Sequence, residues 1–329
     1  MLFLTELNLS RYNSMKVTVS APGKIHLLGE HVVVYGYPAL LSSIDKRLYV
    51  TVETSLKGRL GHISIISPED NKLVHSAVEI YKKKYPAVDF PSLKINISSQ
   101  IPVGAGLGSS AALSAAIIGA LMKAVNNIWN PVRINELSYE VEKLAHGNPS
   151  GADNTTVVFG ELVWYRREFD FLKSIWTLPV LSYKIPKFAI LNSGRPAEST
   201  KEMVNLVKGN YTKKRRLFEN IFSDQEKQVK KILLGMKEGN INFLKQAIEK
   251  GERNLEKIGV VGERAIKIIK YIHKLGGVAK ICGAGGVKEG SGIILCYHEN
   301  LSKLKLVEDV YNVHLSNISL ASEGIRIEH

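Results

Sequence analysis

Apolar and polar residues alternate most strictly at Leu93-Lys94-Ile95-Asn96-Ile97-Ser98, which predicts a strand over 93–99. The same period predicts strands over 16–20, 48–54, 61–66 and 162–165. Apolar residues three and four apart predict helices over 71–85, 110–125 and 134–145, the last introduced by Pro131. The pattern changes after about residue 183. A short strand at Phe188-Ala189-Ile190-Leu191 precedes helical stretches near 199–207, 213–237, 241–256 and 262–275. Strands over 278–282 and 291–297, a helix over 300–309 and a strand over 312–318 follow. Strands dominate early and helices late, so the class is α+β in two domains. The boundary falls near 180–187, between Pro179 and Pro186, giving ranges of 15–183 and 184–329. Residues 1–14 precede the first alternating segment and read as a flexible extension.

Composition sharpens this picture. The chain has 329 residues, 45% hydrophobic and 23% charged, which excludes a disordered chain and supports two cores. No uninterrupted apolar span of about 18 residues stands out, so no membrane partner is expected. Two cysteines, Cys282 and Cys296, exclude a disulfide scaffold and a cysteine-rich zinc module, and suit a reducing cytoplasm. The formal charge of +13 suits either nucleic acid or small anions. The densest basic runs, Lys213-Lys214-Arg215-Arg216 and Lys82-Lys83-Lys84, lie in predicted helices and read as solvated faces. Four glutamines beside abundant lysine is a bias of heat-adapted proteins.

The most informative segment is Ile101-Pro102-Val103-Gly104-Ala105-Gly106-Leu107-Gly108-Ser109-Ser110-Ala111-Ala112, between a predicted strand and a predicted helix. Glycines at alternate positions let the backbone bend tightly and present its N–H groups. Ser109 and Ser110 are placed to cap the incoming helix, whose N-terminus then forms an anion site. No Gly-Lys-Ser/Thr follows, so this is not a Walker A loop, and the glycine spacing is not that of a dinucleotide fingerprint. A phosphate-binding turn is the expectation, with Gly104, Ala105, Gly106, Leu107, Gly108, Ser109, Ser110 and Ala111 as its residues.

At this turn the chain resembles the GHMP family of small-molecule kinases. Two further segments match in the family's order: Ala21-Pro22-Gly23-Lys24 continuing to Gly29-Glu30-His31 and Val34-Tyr35-Gly36, and Cys282-Gly283-Ala284-Gly285-Gly286. Within the family it is most similar to the mevalonate kinases, which share the first segment and Gly147-Asn148-Pro149-Ser150-Gly151-Ala152-Asp153-Asn154. The third segment departs from the family: Val287-Lys288-Glu289-Gly290-Ser291-Gly292 is about two residues longer than usual and brings Lys288 toward the phosphates.

The resemblance implies a two-domain GHMP kinase fold with a ferredoxin-like C-terminal domain. It implies Asp153 as general base beside the attacking hydroxyl and Lys24 as the cation that keeps that carboxylate ionised. Glu142, eleven residues before Asp153, and Ser110 are the implied ligands of Mg2+. Gly283, Ala284, Gly285 and Gly286 join the phosphate site. Glu30 and His31 belong to the acceptor pocket with Lys24 and Asp153. Thr200 matches a threonine near the acceptor, and Arg195 is a candidate cation for its carboxylate.

The activity so implied is cytoplasmic transfer of the γ-phosphoryl group of ATP to the C5 hydroxyl of (R)-mevalonate, in isoprenoid biosynthesis. Its partners are ATP and mevalonate, with no nucleic acid and no membrane; a homodimer stays open. The alternatives are another GHMP kinase, such as one acting on phosphomevalonate or at the C3 hydroxyl, and a non-catalytic regulator or RNA-binding protein. Loss of Lys24, Glu142 or Asp153 would favour the non-catalytic reading, and all three are present. No motif with interleaved aromatics for RNA occurs.

Overall fold

The alternating segment that begins at Lys16 runs well past Ser20. Strand β1 spans Lys16–Leu28 and pairs antiparallel with β2, Ala39–Ser55, with register shifts at Pro22/Gly23 and again at His26/Leu28. Pro22 has no N–H to give the ladder, so the strand bulges there and the two-residue period breaks. The first six residues of β2, 39–44, are all buried, so they show no alternation. Those two effects hide 21–28 and 39–44 from a periodicity reading.

The computed structural model describes residues 14–55, 60–67, 71–86, 90–102, 106–146, 149–169 and 171–329. The expected extension over 1–14 therefore lies outside the described residues except for Ser14. The first half continues with β3 (Ile63–Ile66), α1 (Asn71–Lys84), β4 (Ser92–Ser99), α2 (Ser109–Asn126), α3 (Pro131–His146) and α4 (Ala152–Phe159). It closes with the hairpin β5 (Leu162–Arg167) and β6 (Lys173–Leu178). The second half holds β7 (Phe188–Asn192), α5 (Thr200–Lys213), α6 (Arg215–Glu238), α7 (Ile241–Ile258) and α8 (Glu263–Lys274). Then come β8 (Val278–Ile281), β9 (Ile293–Tyr297), α9 (Lys305–Tyr311), β10 (Leu315–Ile318) and β11 (Arg326–Glu328). Helix α4 and strands β6 and β11 are additions to the sequence expectation.

The first sheet has the order β11-β1-β2-β4-β3, and the β5–β6 hairpin joins it through β2. Helix α2 packs on β1 and β2, with α1, α3 and α4 around it. Its 18 residues are small and apolar on nearly every side, and by length and composition it could cross a membrane. The expectation concerned an uninterrupted apolar span, and Ser114 and Lys123 interrupt this one. Most of α2 is buried against the sheet, which is how a core helix meets the same test.

The second sheet has the order β10-β7-β9-β8, antiparallel at every step. Taken in chain order that is 4-1-3-2, with helices α5 to α8 between the first two strands and α9 before the last, the ferredoxin-like connection. Helix α5 starts in a capping box: Ser199 accepts from Glu202 N–H at 3.3 Å and donates its own N–H to Glu202 Oε2 at 2.7 Å. Gly239, in the left-handed region, ends α6, and Asn240 caps α7 through Phe243 N–H. The chain beyond residue 184 serves both sheets, because β11 returns to pair with β1.

Candidate active site

Lys24 and His26 are two apart on β1 and so point to the same face. The Lys24 side chain is only 5% exposed, and its Nζ lies 3.1 Å from Asp153 Oδ2. Asp153 stands in the first turn of α4, a helix entered through Gly151 at φ 88. Three contacts hold the loop before that helix. Tyr139 donates to Pro149 O at 3.2 Å, Tyr165 donates to Ser150 O at 3.2 Å, and Lys173 donates to Tyr139 Oη at 2.8 Å. The two residues expected to act together are thus brought together, by β1 from one side and a braced loop from the other.

The glycine-rich turn lies against the same lysine. Lys24 N–H donates to Leu107 O at 2.9 Å. Gly108, at φ 75, is the N-cap of α2, and a Cβ placed on it would come within 2.6 Å of Lys24 Cγ. The expected serine cap is therefore corrected: the capping position is Gly108, with no side-chain cap. Only glycine fits that left-handed, crowded position, so Ser109 and Ser110 fall inside the helix. Ser110 Oγ instead donates to Glu142 Oε1 at 2.5 Å, and Ser114 Oγ donates to the same oxygen at 2.9 Å. Glu142 is buried on α3, so a carboxylate sits next to the N-terminus of α2. Gly106, Leu107 and Ala111 are in place on the turn and first helical residues, while Gly104 and Ala105 lie outside the described residues.

The third glycine segment closes on this turn from the second sheet. A Cβ on Gly106 would lie 3.4 Å from Cys282 O, so the two loops approach backbone to backbone. An open cleft of about 600 Å³ lies beside them, lined by Gly106, Ala284 and Gly285 together with Arg195, Glu198 and Thr200. Thr200 is the first residue of α5. Gly283 and Gly286 flank the same loop. The extra residues beyond Gly286 are tied down: Glu198 accepts from Val287 N–H at 3.3 Å and Lys288 N–H at 3.2 Å. Ser291 Oγ donates to Gly286 O at 2.8 Å.

Glu30 and His31 are buried where the two sheets meet. Val32 N–H donates to Glu30 O at 2.7 Å across His31, whose φ of 61 and ψ of −44 are those of a strained γ-turn. The turn is clamped from β8 and the loop after it. His31 Nε2 donates to Ala284 O at 3.0 Å, and burial pulls its imidazole down to about 4. Glu30 Oε1 pairs with Lys280, a fully buried lysine on β8. Lys280 also donates to Ile281 O at 2.6 Å. Glu252 on α7 completes the cluster, its Oε2 accepting from Ile281 N–H at 2.9 Å. Burial pushes the Glu252 carboxyl up to about 8, against the Ile281 N–H and Lys280. One cation favours one anion, and Glu30 is the carboxylate in contact with it.

Sequence reasoning missed Lys280, Glu252, Ser114 and His26. Lys280 had a signal: it is the single charged residue in Val278-Ala279-Lys280-Ile281, a strand buried throughout. Glu252 and Ser114 sit among ordinary helical residues and had none.

The comparisons with known proteins bear on this geometry. The family model described as GHMP kinases N terminal domain matches residues 72–161, and the one described as galactokinase galactose-binding signature matches residues 9–54. A mevalonate kinase of Thermococcus sibiricus is 30% identical, the alignment covering 95% of this chain and 99% of that protein. One of Pyrococcus abyssi is 31% identical over 82% of this chain and 86% of its own. Among solved structures, L. major mevalonate kinase in complex with R-mevalonate superposes with a TM-score of 0.80 at 18% identity, covering 92% of this chain and 95% of that one. The Methanococcus jannaschii mevalonate kinase gives 0.78 at 24%, covering 95% and 100%.

Proposed function

The chain belongs to the mevalonate kinase family, a branch of the GHMP kinases, and on that premise we propose that it transfers the γ-phosphoryl group of ATP to the C5 hydroxyl of (R)-mevalonate. It is a phosphotransferase, and ATP and mevalonate are its substrates. The observation that carries the detailed reading is the Lys24–Asp153 pair, set beside the helix that follows the glycine-rich turn.

Phosphoryl transfer through a loose transition state asks for positioning and charge stabilisation more than for covalent chemistry. Asp153 accepts the proton of the acceptor hydroxyl, or orients it, as the hydroxyl oxygen attacks the γ-phosphorus. Lys24 stabilises the carboxylate before transfer and the oxygen on which charge develops during it. The leading N–H groups of α2, uncapped by any side chain of Gly108, receive phosphate oxygens. Arg195 and Thr200, in the cleft, suit the carboxylate and hydroxyl of mevalonate. Glu30, buried and paired with Lys280, holds the His31 turn beside the cleft and does not itself reach the acceptor.

Ser110 and Glu142 fit a magnesium ion. They already place a hydroxyl and a buried carboxylate oxygen together, the hard oxygen donors that magnesium takes. Among the described residues no three His, Cys, Asp or Glu side chains gather into an all-protein cage. One carboxylate and one hydroxyl match an ion held chiefly by phosphates. When bound, it neutralises charge on the phosphate oxygens. Both cysteines are buried thiols, which fits a reducing cytoplasm.

Phosphorus NMR of a mixture of protein, ATP, Mg2+ and (R)-mevalonate tests the proposal. A 5-phosphomevalonate signal is expected, abolished by EDTA and slowed about 1,000-fold by Asp153→Asn. If folded protein leaves mevalonate untouched and consumes phosphomevalonate, homoserine or galactose instead, the acceptor is wrong.

A further inference from the structure

Lys24 has a second polar neighbour that no motif predicted. His26 Nδ1 lies 3.3 Å from Lys24 Nζ, on the same face of β1. An ammonium has only donors, so Nδ1 accepts and the ring proton sits on Nε2. Burial above all, and then the Lys24 charge, pulls this imidazole down to about 3; Asp153 opposes, while Lys280 and His31 add to the fall. The ring is therefore neutral wherever the enzyme works. It is also held in place. The His26 carbonyl accepts from Lys280 Nζ at 3.4 Å, and the β1 register shifts immediately after it.

We propose that His26 is a positioning residue for phosphoryl transfer: its Nδ1 accepts a hydrogen bond from one N–H of the Lys24 ammonium and so fixes the direction of the other two. One of those points at Asp153 Oδ2. The third is then left for the oxygen on which charge develops. Lysine is a flexible point charge with three rotating donors. Two fixed acceptors on different elements, β1 and α4, turn it into an oriented donor before substrate arrives. A displacement of about 1 Å at such a group costs on the order of 100-fold in rate. This inference rests on Lys24 and Asp153 acting at the reacting oxygen.

Two substitutions separate positioning from space-filling. His26→Leu keeps the apolar volume and removes the acceptor; His26→Asn keeps an acceptor near Nδ1. His26→Leu is expected to lower kcat about 10–100-fold with KM for ATP within about 2-fold. His26→Asn is expected to recover most of kcat, to within about 5-fold of the parent. Equal kcat in His26→Leu and the parent, or equal loss in folded His26→Leu and His26→Asn, overturns the proposal. Nitrogen-15 NMR of the unmodified enzyme is independent of variant folding. An unprotonated Nδ1 and protonated Nε2 are expected from pH 5 to 8, and a protonated Nδ1 overturns the assignment. Lys24→Met and Asp153→Asn keep the two readings apart. If both stay active, the catalytic reading fails; if both are inactive while His26→Leu is active, only the role of His26 fails.

Discussion

At the scale of single residues, the site depends on a side chain that is missing. Gly108 lets the stem of Lys24 pass beneath the glycine-rich turn. Gly108→Ala adds a methyl group into that stem and holds a non-glycine residue at φ 75, a strain of about 1–3 kcal/mol. The nearer consequence is for rate. With Lys24 pushed off Asp153, kcat is expected to fall about 100-fold while the fold survives, read by steady-state kinetics beside thermal unfolding. Lys24, Glu142 and Asp153 were singled out in the sequence, Lys24 by the phrase Ala-Pro-Gly-Lys and all three by the resemblance to the GHMP kinases. His26 was not, since a histidine on a strand carries no sign of what its ring touches.

At the scale of elements, the chain end is built into the first sheet by one arginine. Arg47 Nε donates to Ser20 Oγ at 2.7 Å, and its two terminal nitrogens reach Ser20 O, Glu323 O and Gly324 O at 2.7–3.0 Å. Ser20 also donates to Glu328 in β11. Arg47→Met leaves two buried carbonyls and a part-buried one without that donor and is expected to cost about 3 kcal/mol in chemical denaturation. Deleting 326–329 removes β11 and should give a smaller loss, read the same way. None of this shows in periodicity: three strand residues are too few to carry a period, and Arg47 reads as an ordinary exposed cation. Helix α4 was hidden for a related reason, being eight residues long and following Pro149-Ser150-Gly151, which reads as a turn. The long helices α6, α7 and α8 had period enough to be seen.

At the scale of the whole molecule, the two sheets meet through the buried cluster of Glu30, Lys280 and Glu252, with Glu256 also acting on Glu252. Glu252 is raised to about 8 when folded, against about 4.3 for an unperturbed glutamate. Between those values the folded protein keeps a proton that the unfolded chain has lost. Its contribution to stability is therefore complete below about pH 4 and falls as pH rises through 8. Glu252→Gln removes this dependence. Relative to the parent, the variant should gain stability between pH 5 and pH 8, by up to about 1.4 kcal/mol per pH unit, measured by urea unfolding at several pH values. A flat difference across that range would mean that Glu252 is ionised in the folded protein.

The amino-acid sequence alone determined the α+β class and, through its resemblance, the family, and it singled out Lys24, Glu142 and Asp153 as candidates. These follow from local periods and from short segments whose residue types the chemistry requires. Tertiary structure decided the rest. It set which proton of Lys24 goes where, that Gly108 and not a serine begins α2, that a buried lysine in β8 holds the Glu30–His31 turn, and that the last strand returns to the first sheet. Each of these is a contact between residues tens to hundreds of positions apart or an orientation within a packed site. Burial and electrostatics fix both, and neither leaves a period in the chain.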